Sequence, residues 1–320
     1  MHSIDQEPLQ PGSRLFDRRS FLRGTVFAGA VLAAAGCANI FPEAPKPRAE
    51  FDIAPSWEQD FTAMPGPSID TNVWKYDLDP DKPFYNHEEQ GYTSSLDNIR
   101  IEPGVGLVIE AHEQGYRYQN DPKNRYYEYT SGRIDTHESF SFEYGKIEAT
   151  MKLPQGPGTW PAFWLLSANE PNTKKYLSSP SFDQNEYEHN RRMYMKDGEL
   201  DIMEHYGNTP GHIEATVHTF QHSTEGSIEV PDYSDVFHTY GVELTPSKII
   251  WTLDGKPYDT YNKPSDNPDD WPFGHGNKFY PIFNLAMGGG TKGNRVDASQ
   301  QESWRMVIRD LKFYDYTGGS

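Results

Sequence analysis

The sequence predicts an all-β protein, a β-sandwich of two antiparallel sheets. Three observations carry this. Short runs alternate apolar and polar side chains, most clearly from Phe142 to Leu153, as a strand buried on one face must. Such runs are joined by tight Gly-containing turns, among them Pro103-Gly104 and Asp254-Gly255. At 320 residues the chain has room for one large sandwich, a class that reaches this size as a single unit.

Residues 1–37 read as a targeting segment outside the fold. Arg18-Arg19-Ser20-Phe21-Leu22-Arg23 has the form of a twin-arginine export signal. The apolar stretch Thr25 to Ala35 is too short to span a bilayer as a stable helix. It ends at Ala34-Ala35-Gly36-Cys37, which suits lipid attachment at Cys37 and so membrane attachment; cleavage after one of the small residues Ala33 to Ala35 is the other reading. Cys37 is the one cysteine in the chain, so an intrachain disulfide and a Cys-based metal site are excluded. Twin-arginine export places the product in the periplasm, anchored at the outer membrane, or outside the cell. Residues 38–56, with Pro42, Pro45, Pro47 and Pro55, read as an extended tether, and the folded domain is expected over 57–317.

Within that domain, Ile99 to Gly104 and Leu107 to Ala111 read as paired strands, and 112–128 as a loop. Tyr129 to Ile134 follows that loop. In Gly158 to Leu166, Trp160, Ala162 and Trp164 share one face of a strand, an aromatic platform on which sugar rings can pack, while Phe163 and Leu165 turn to the core. The polar stretch 169–197 carries Tyr176, Tyr187, Tyr194 and an Arg191-Arg192 pair; broken by Pro171 and Pro180, it reads as loop with one short helical turn near 184–192. The remaining strands run over Ile213 to Phe220, Phe237 to Leu244, Lys248 to Lys256, Phe279 to Gly289 and Met306 to Tyr316, the last closing the sandwich.

The chemistry sits in Gly198-Glu199-Leu200-Asp201-Ile202-Met203-Glu204-His205. A strand has a period of two, so Glu199 and Asp201 share a face and Leu200 and Ile202 point the other way. Glu204 breaks that parity unless one extra residue is inserted; a β-bulge near Ile202 or Met203 swings it onto the acidic face. Crowded like charges push one carboxyl towards its protonated form. One ionised carboxylate beside one neutral carboxylic acid is what glycoside hydrolysis requires. The residues alone also admit a solvated acidic edge strand.

This stretch resembles the catalytic strand of glycoside hydrolase family 16, the laminarinase-like enzymes, whose signature is E-aliphatic-D-aliphatic-aliphatic or Met-E. Tyr129 to Ile134, Tyr144 to Leu153 and Gly158 to Leu166 resemble further motifs of that family and stand in its order. The likeness runs from about residue 57 to 316 and departs at 169–197. It implies a jelly roll with a concave substrate cleft and a retaining, endo-acting hydrolase of a β-linked polysaccharide, β-1,3-glucan first. It implies Glu199 as nucleophile, Glu204 as general acid then base, and Asp201 between them. Trp160, Trp164, His218, Arg133 and Asn284 are expected to meet substrate. A surface salt bridge is the other reading of Arg133. A structural calcium ion is implied at Asp310 with backbone oxygens near Glu58 and Gly104, although the sequence has no dense cluster of oxygen ligands there. Catalysis itself needs no cofactor. A β-galactan hydrolase, a transglycosylase and a non-catalytic glucan-binding protein of the same fold are the alternatives.

A formal net charge of −18 argues against nucleic acid and polyanionic partners. Aromatic residues at 14%, including 20 Tyr and 7 Trp, suit a protein that stacks sugar rings, and a β core also uses them. A monomer is expected. There is no internal repeat, Gly-rich phosphate loop or Ser-His-Asp arrangement with a nucleophile elbow.

Overall fold

The computed structural model describes residues 50–78, 86–119, 121, 123–169, 193, 195–290, 294–299, 301 and 303–318. The leader 1–37, most of the expected tether and the expected helical turn at 184–192 lie outside the described residues. The first strands are β1 (Trp57–Asp60), β2 (Lys75–Tyr76), β3 (Gln90–Tyr92), β4 (Ile99–Glu102), β5 (Gly106–His112) and β6 (Tyr129–Ser131). Then come β7 (Arg133–Asp135), β8 (Gly145–Lys152), β9 (Thr159–Ser167), β10 (Glu199–His205), β11 (His212–His218) and β12 (Ser223–Glu229). The last are β13 (His238–Leu244), β14 (Lys248–Leu253), β15 (Lys256–Asn262), β16 (Phe279–Met287) and β17 (Ser303–Asp315).

They form two sheets. One runs β15-β14-β13-β8-β17-β5-β6-β3, with β1 on β17 and β4 on β5; the other runs β12-β11-β10-β9-β16-β7-β2. The pairings are antiparallel as expected except β3 with β6, which is parallel. Sequence alternation explains the packing. In β8, Ile147, Ala149 and Met151 enter the core while Lys146, Glu148, Thr150 and Lys152 stay half-buried outside it. From the facing sheet, Leu200, Ile202 and Met203 of β10 enter the same core. β16 is buried at all nine positions, as the strand between β9 and β7 with both faces covered.

Tyr129 to Ile134 divides between the sheets: β6 belongs to one and β7 to the other. The break is at Gly132, where an added Cβ would lie 2.3 Å from the Ile99 side chain. Residues 50–56 are not free tether. Phe51 bridges Tyr316, and the Ser56 N–H donates to the Phe313 carbonyl at 2.9 Å, so the fold begins before Trp57. β12 and β15 were not foreseen; both are edge strands with mostly exposed polar side chains, which carry little apolar signal.

His205 closes β10 and is fully buried. Its Nε2 accepts the Gly211 N–H at 3.3 Å, and its ring lies 4.3 Å from that of Tyr233. Burial, with a contribution from His212, lowers its pKa to about 4. The unfolded chain therefore takes up this proton first. Stability from His205 is fully present above about pH 6.5 and is lost as pH falls towards 4. The loss by pH 4.5 is about 2–3 kcal/mol. Urea unfolding at pH 7 and pH 4.5 should give His205→Gln a smaller acid destabilisation than wild type by that amount; equal losses in both would rule His205 out as the sensor.

Candidate active site

The acids are placed by β10 and its neighbours. On β9, Glu199 faces Leu166 and Asp201 faces Trp164; the register then shifts, and Glu204 faces Ala162. On β11 the partners are His218, Thr216 and Glu214, with the shift again between Asp201 and Glu204. Trp164 and Ala162 are two apart, as are Thr216 and Glu214, so the three acids share one face. The bulge falls where the parity argument requires it. A bulge disrupts the ladder locally, and the Asp201 carbonyl accepts the Trp251 indole N–H at 2.9 Å. Trp251 is buried in β14 of the opposite sheet. At the entrance, Gly198 has φ +86°, and a Cβ there would lie 2.6 Å from Pro272, so a side chain is excluded twice.

His218 Nε2 lies 3.2 Å from Asp201 Oδ2 and 3.9 Å from Glu199 Oε1. Burial opposes a charged imidazole, but the Asp201 hydrogen bond and the charges of Asp201, Glu199 and Glu204 outweigh it and raise its pKa to about 9. The site thus holds an imidazolium at neutral pH. Glu204 moves the other way for a carboxylate. Burial first, then the Asp201 charge, raises its pKa well above the usual 4.5. Trp160 Nε1 donates to Glu204 Oε1 at 2.9 Å. An indole N–H can only donate, so Oε1 accepts; a carbonyl oxygen accepts better than a carboxylic hydroxyl, which favours the Glu204 proton on Oε2. The bond thus biases which oxygen carries the proton.

Trp160 and Trp164 form the expected platform. Trp160 stacks on Tyr206 with centroids 4.8 Å apart. Trp164 donates to Asn284 Oδ1 at 2.7 Å. The Arg133 guanidinium lies 4.8 Å from the Trp164 ring centre and pairs with Asp77 at 2.9 Å. Arg133 is buried, so it is not a surface salt bridge. Asn284 in turn donates to Tyr92 Oη at 3.2 Å, and Tyr92 donates to Glu88 Oε2 at 3.1 Å. Glu88 also accepts from Gln90 and Asn86. Burial raises its pKa against these bonds and the Arg133 charge. Sequence reasoning missed Glu88, Tyr92, Asp77, Tyr206 and Trp251. The alternation Glu88, Gln90, Tyr92 was an available signal for the first two.

The residues named for calcium lie elsewhere, on β1, β17 and the turn before β5. Asp310 Oδ1 accepts from Thr150 Oγ1 at 3.0 Å, and Lys312 Nζ lies 3.5 Å from Asp310 Oδ2 and 3.6 Å from Glu58 Oε1. One ammonium therefore serves both carboxylates. Calcium takes about six to eight oxygen ligands. Asp310 could offer a carboxylate oxygen by giving up Lys312, and main-chain oxygens such as that of Gly104 would supply the rest. In the cleft, ligand atoms of Glu199, Asp201 and His218 lie within 4.8 Å of one another, and a metal there would have to displace the His218 proton.

A two-sheet β-sandwich with an aromatic platform beside one shielded acid and further carboxylates defines a carbohydrate-active hydrolase. The family model described as glycosyl hydrolases family 16 matches residues 87–175 and 187–300. A β-glucanase of Rhodothermus marinus is 32% identical over 314 residues, covering 94% of this chain and 97% of that one. Glucan endo-1,3-beta-glucosidase A1 of Niallia circulans is 31% identical over 279 residues, 81% of this chain and 37% of that longer protein. The X-ray structure of the laminarinase from Rhodothermus marinus superposes with a TM-score of 0.67 at 30% identity, covering 83% of this chain and 99% of that one. The chain belongs to glycoside hydrolase family 16 and is a glycoside hydrolase.

Trp251→Phe removes the donor from the Asp201 carbonyl and leaves a buried acceptor unpaired, at a cost of about 2–3 kcal/mol. Urea unfolding should register that loss, and kcat should fall at least about tenfold as the bulge loosens. An unchanged kcat beside the stability loss would mean that the bulge holds its shape without the indole.

Proposed function

We propose that this chain is a retaining, endo-acting hydrolase of β-1,3-glucan, with Glu199 as nucleophile and Glu204 as general acid and then base. The observation that carries the reading is the register shift in β10, which turns Glu204 onto the face of Glu199 and Asp201, with one oxygen held by Trp160. The substrate class is taken over from the relatives, whose names specify β-glucan, endo-1,3-β-glucosidase and laminarinase.

In the first step a Glu199 oxygen attacks the anomeric carbon from the face opposite the leaving group. The glycosidic C–O bond breaks, and Glu204 Oε2 delivers its proton to the departing oxygen. This leaves a glycosyl ester on Glu199 and a carboxylate on Glu204. In the second step Glu204 takes a proton from water as the water oxygen attacks the anomeric carbon. The ester bond breaks and Glu199 is restored. Asp201 and the His218 imidazolium lie beside the nucleophile and limit the charge change around it. Trp160 and Trp164 supply faces for sugar rings, and Arg133 and Asn284 hold Trp164 in place. No metal enters either step; a calcium ion at Asp310 would serve the far sheet alone.

Glu204→Ala should lower kcat on laminarin by about 10²–10⁴. Azide needs no deprotonation and should restore turnover of an aryl β-glucoside of laminaribiose, giving the β-glycosyl azide by proton NMR. An α-azide from this variant would reverse the two assignments. Laminarin digestion followed on reducing-end-labelled oligosaccharides separates hydrolysis from transfer.

The same proposal extends to the leader. The chain leaves the cytoplasm folded, by the twin-arginine route, and is retained by a lipid on Cys37. Cys37→Ser should move the protein from the membrane fraction to the soluble periplasmic or extracellular fraction. Wild type found wholly in the soluble fraction would discard the anchor.

A further inference from the structure

A cavity of about 500 Å³ is lined by residues of β8 and β17 and the loops beside them. Lys152 lines it from the outward register of β8, whose alternate residues fill the core. Because Leu200 and Ile202 enter that core from the other sheet, the catalytic acids leave in the opposite direction. The cavity and the cleft therefore lie on opposite sides of the sandwich.

Its chemistry is unlike the rest of the molecule. The Arg309 guanidinium lies 3.7 Å from the centre of the Phe237 ring and Lys152 Nζ 5.5 Å from it. Neither cation has a carboxylate partner among the described residues. The third cation of the cavity, Arg305, is taken up by Glu102. Both cations thus face one ring without a carboxylate among the described residues, in a chain with 29 basic and 47 acidic residues. An anion between them would meet both charges.

The cavity also offers hydroxyl-binding groups. Trp304 Nε1 is buried there with no acceptor, an orphan donor that costs stability unless a ligand or water meets it. The Gln155 amide nitrogen donates to Ser234 Oγ and that of Gln301 to the Gln155 carbonyl, which leaves both amide oxygens as acceptors. A sugar hydroxyl both donates and accepts, and so matches this mixture. Gly156 closes up against these groups: a Cβ there would lie 2.9 Å from Gln301 Nε2 and 3.0 Å from Trp304 Nε1, so a side chain would collide with both. The volume falls in the range of small-molecule sites.

We propose that this cavity is a second, non-catalytic site that binds an acidic saccharide of one or two rings. Lys152 and Arg309 hold its carboxylate or sulfate, and Trp304, Gln155 and Gln301 meet its hydroxyls. The enzyme would then grip an acidic glycan on one side while its cleft works on another chain.

The test uses the exported domain and calorimetric titration with four probes: a glucuronate trisaccharide, a sulfated trisaccharide, inorganic sulfate and laminaritriose. At least one acidic trisaccharide should bind, more weakly by about tenfold when salt rises from 50 to 300 mM. The preference between the two assigns the acid group. Lys152→Glu/Arg309→Glu should lower that affinity at least 30-fold, while laminarin hydrolysis stays unchanged and reports a folded enzyme. Glu199→Gln should bind the acidic probe as wild type does. Binding of inorganic sulfate as tight as that of the trisaccharides overturns the saccharide class. Absence of binding by both acidic probes, displacement by laminaritriose, or an unaffected double variant overturns the site itself.

Discussion

The hydrogen bond from Trp251 to the Asp201 carbonyl is the constraint on which the cleft depends. A regular strand would place Glu199 and Glu204 on opposite faces, because five positions is an odd number. The extra residue corrects the parity and disturbs the ladder as it does so. A core indole from the opposite sheet meets the disturbed backbone. Leu200, Ile202 and Met203 can then all stay buried while three acids face outward on the same short strand. The two sheets of the sandwich are thus not equivalent. One carries the reactive groups, and the other fixes the backbone irregularity that brings them together.

Charge decides how the site can work once it is built. Four ionisable groups meet here, and full ionisation of all three carboxylates would leave them poorly compensated. Two effects compete at Glu204. Burial and the Asp201 charge favour the acid; the His218 cation and the Trp160 N–H favour the carboxylate. The first pair wins. At His218 burial is the loser, because the carboxylates crowd around it. The result is one neutral acid and one imidazolium in a group with little net excess charge, which a glycosyl transfer can enter without a large rearrangement. On the proposed reading Trp160 links this electrostatics to substrate contact, since the same side chain offers a ring face and donates to Glu204.

Much of this was legible in the sequence because it rests on local periodicity. The parity of Glu199, Asp201 and Glu204 demands a bulge. The parity of Trp160, Ala162 and Trp164 demands a platform, and both follow from neighbours within a few positions. What was hidden depends on partners far along the chain. Trp251 reads as an ordinary core aromatic in a strand, and nothing nearby points to a carbonyl fifty residues earlier. Glu88 lies in a polar stretch whose strand is three residues long. Gly132 looks like a turn residue, yet it marks where the chain crosses from one sheet to the other against Ile99. The polar edge strands β12 and β15 put only Ile228, Tyr258 and Tyr261 against the core, too few to announce them.

The support behind Trp164 has a direction that its residue types impose. The indole can only donate, so Asn284 must present its oxygen to it. The Asn284 amide nitrogen then donates to Tyr92, whose hydroxyl is left to donate onward to Glu88. Each bond in the series is fixed by the one before, and the carboxylate is the one member that donates nothing. Burial raises the Glu88 pKa, but the three donors that converge on it favour the ionised form. On its face the indole meets the buried Arg133, itself held by Asp77. A side chain gripped at both its edge and its face loses its rotamer freedom during folding. On the proposed reading, a sugar arriving at the platform meets a surface already ordered, and the entropy of ordering it is absent from the binding step.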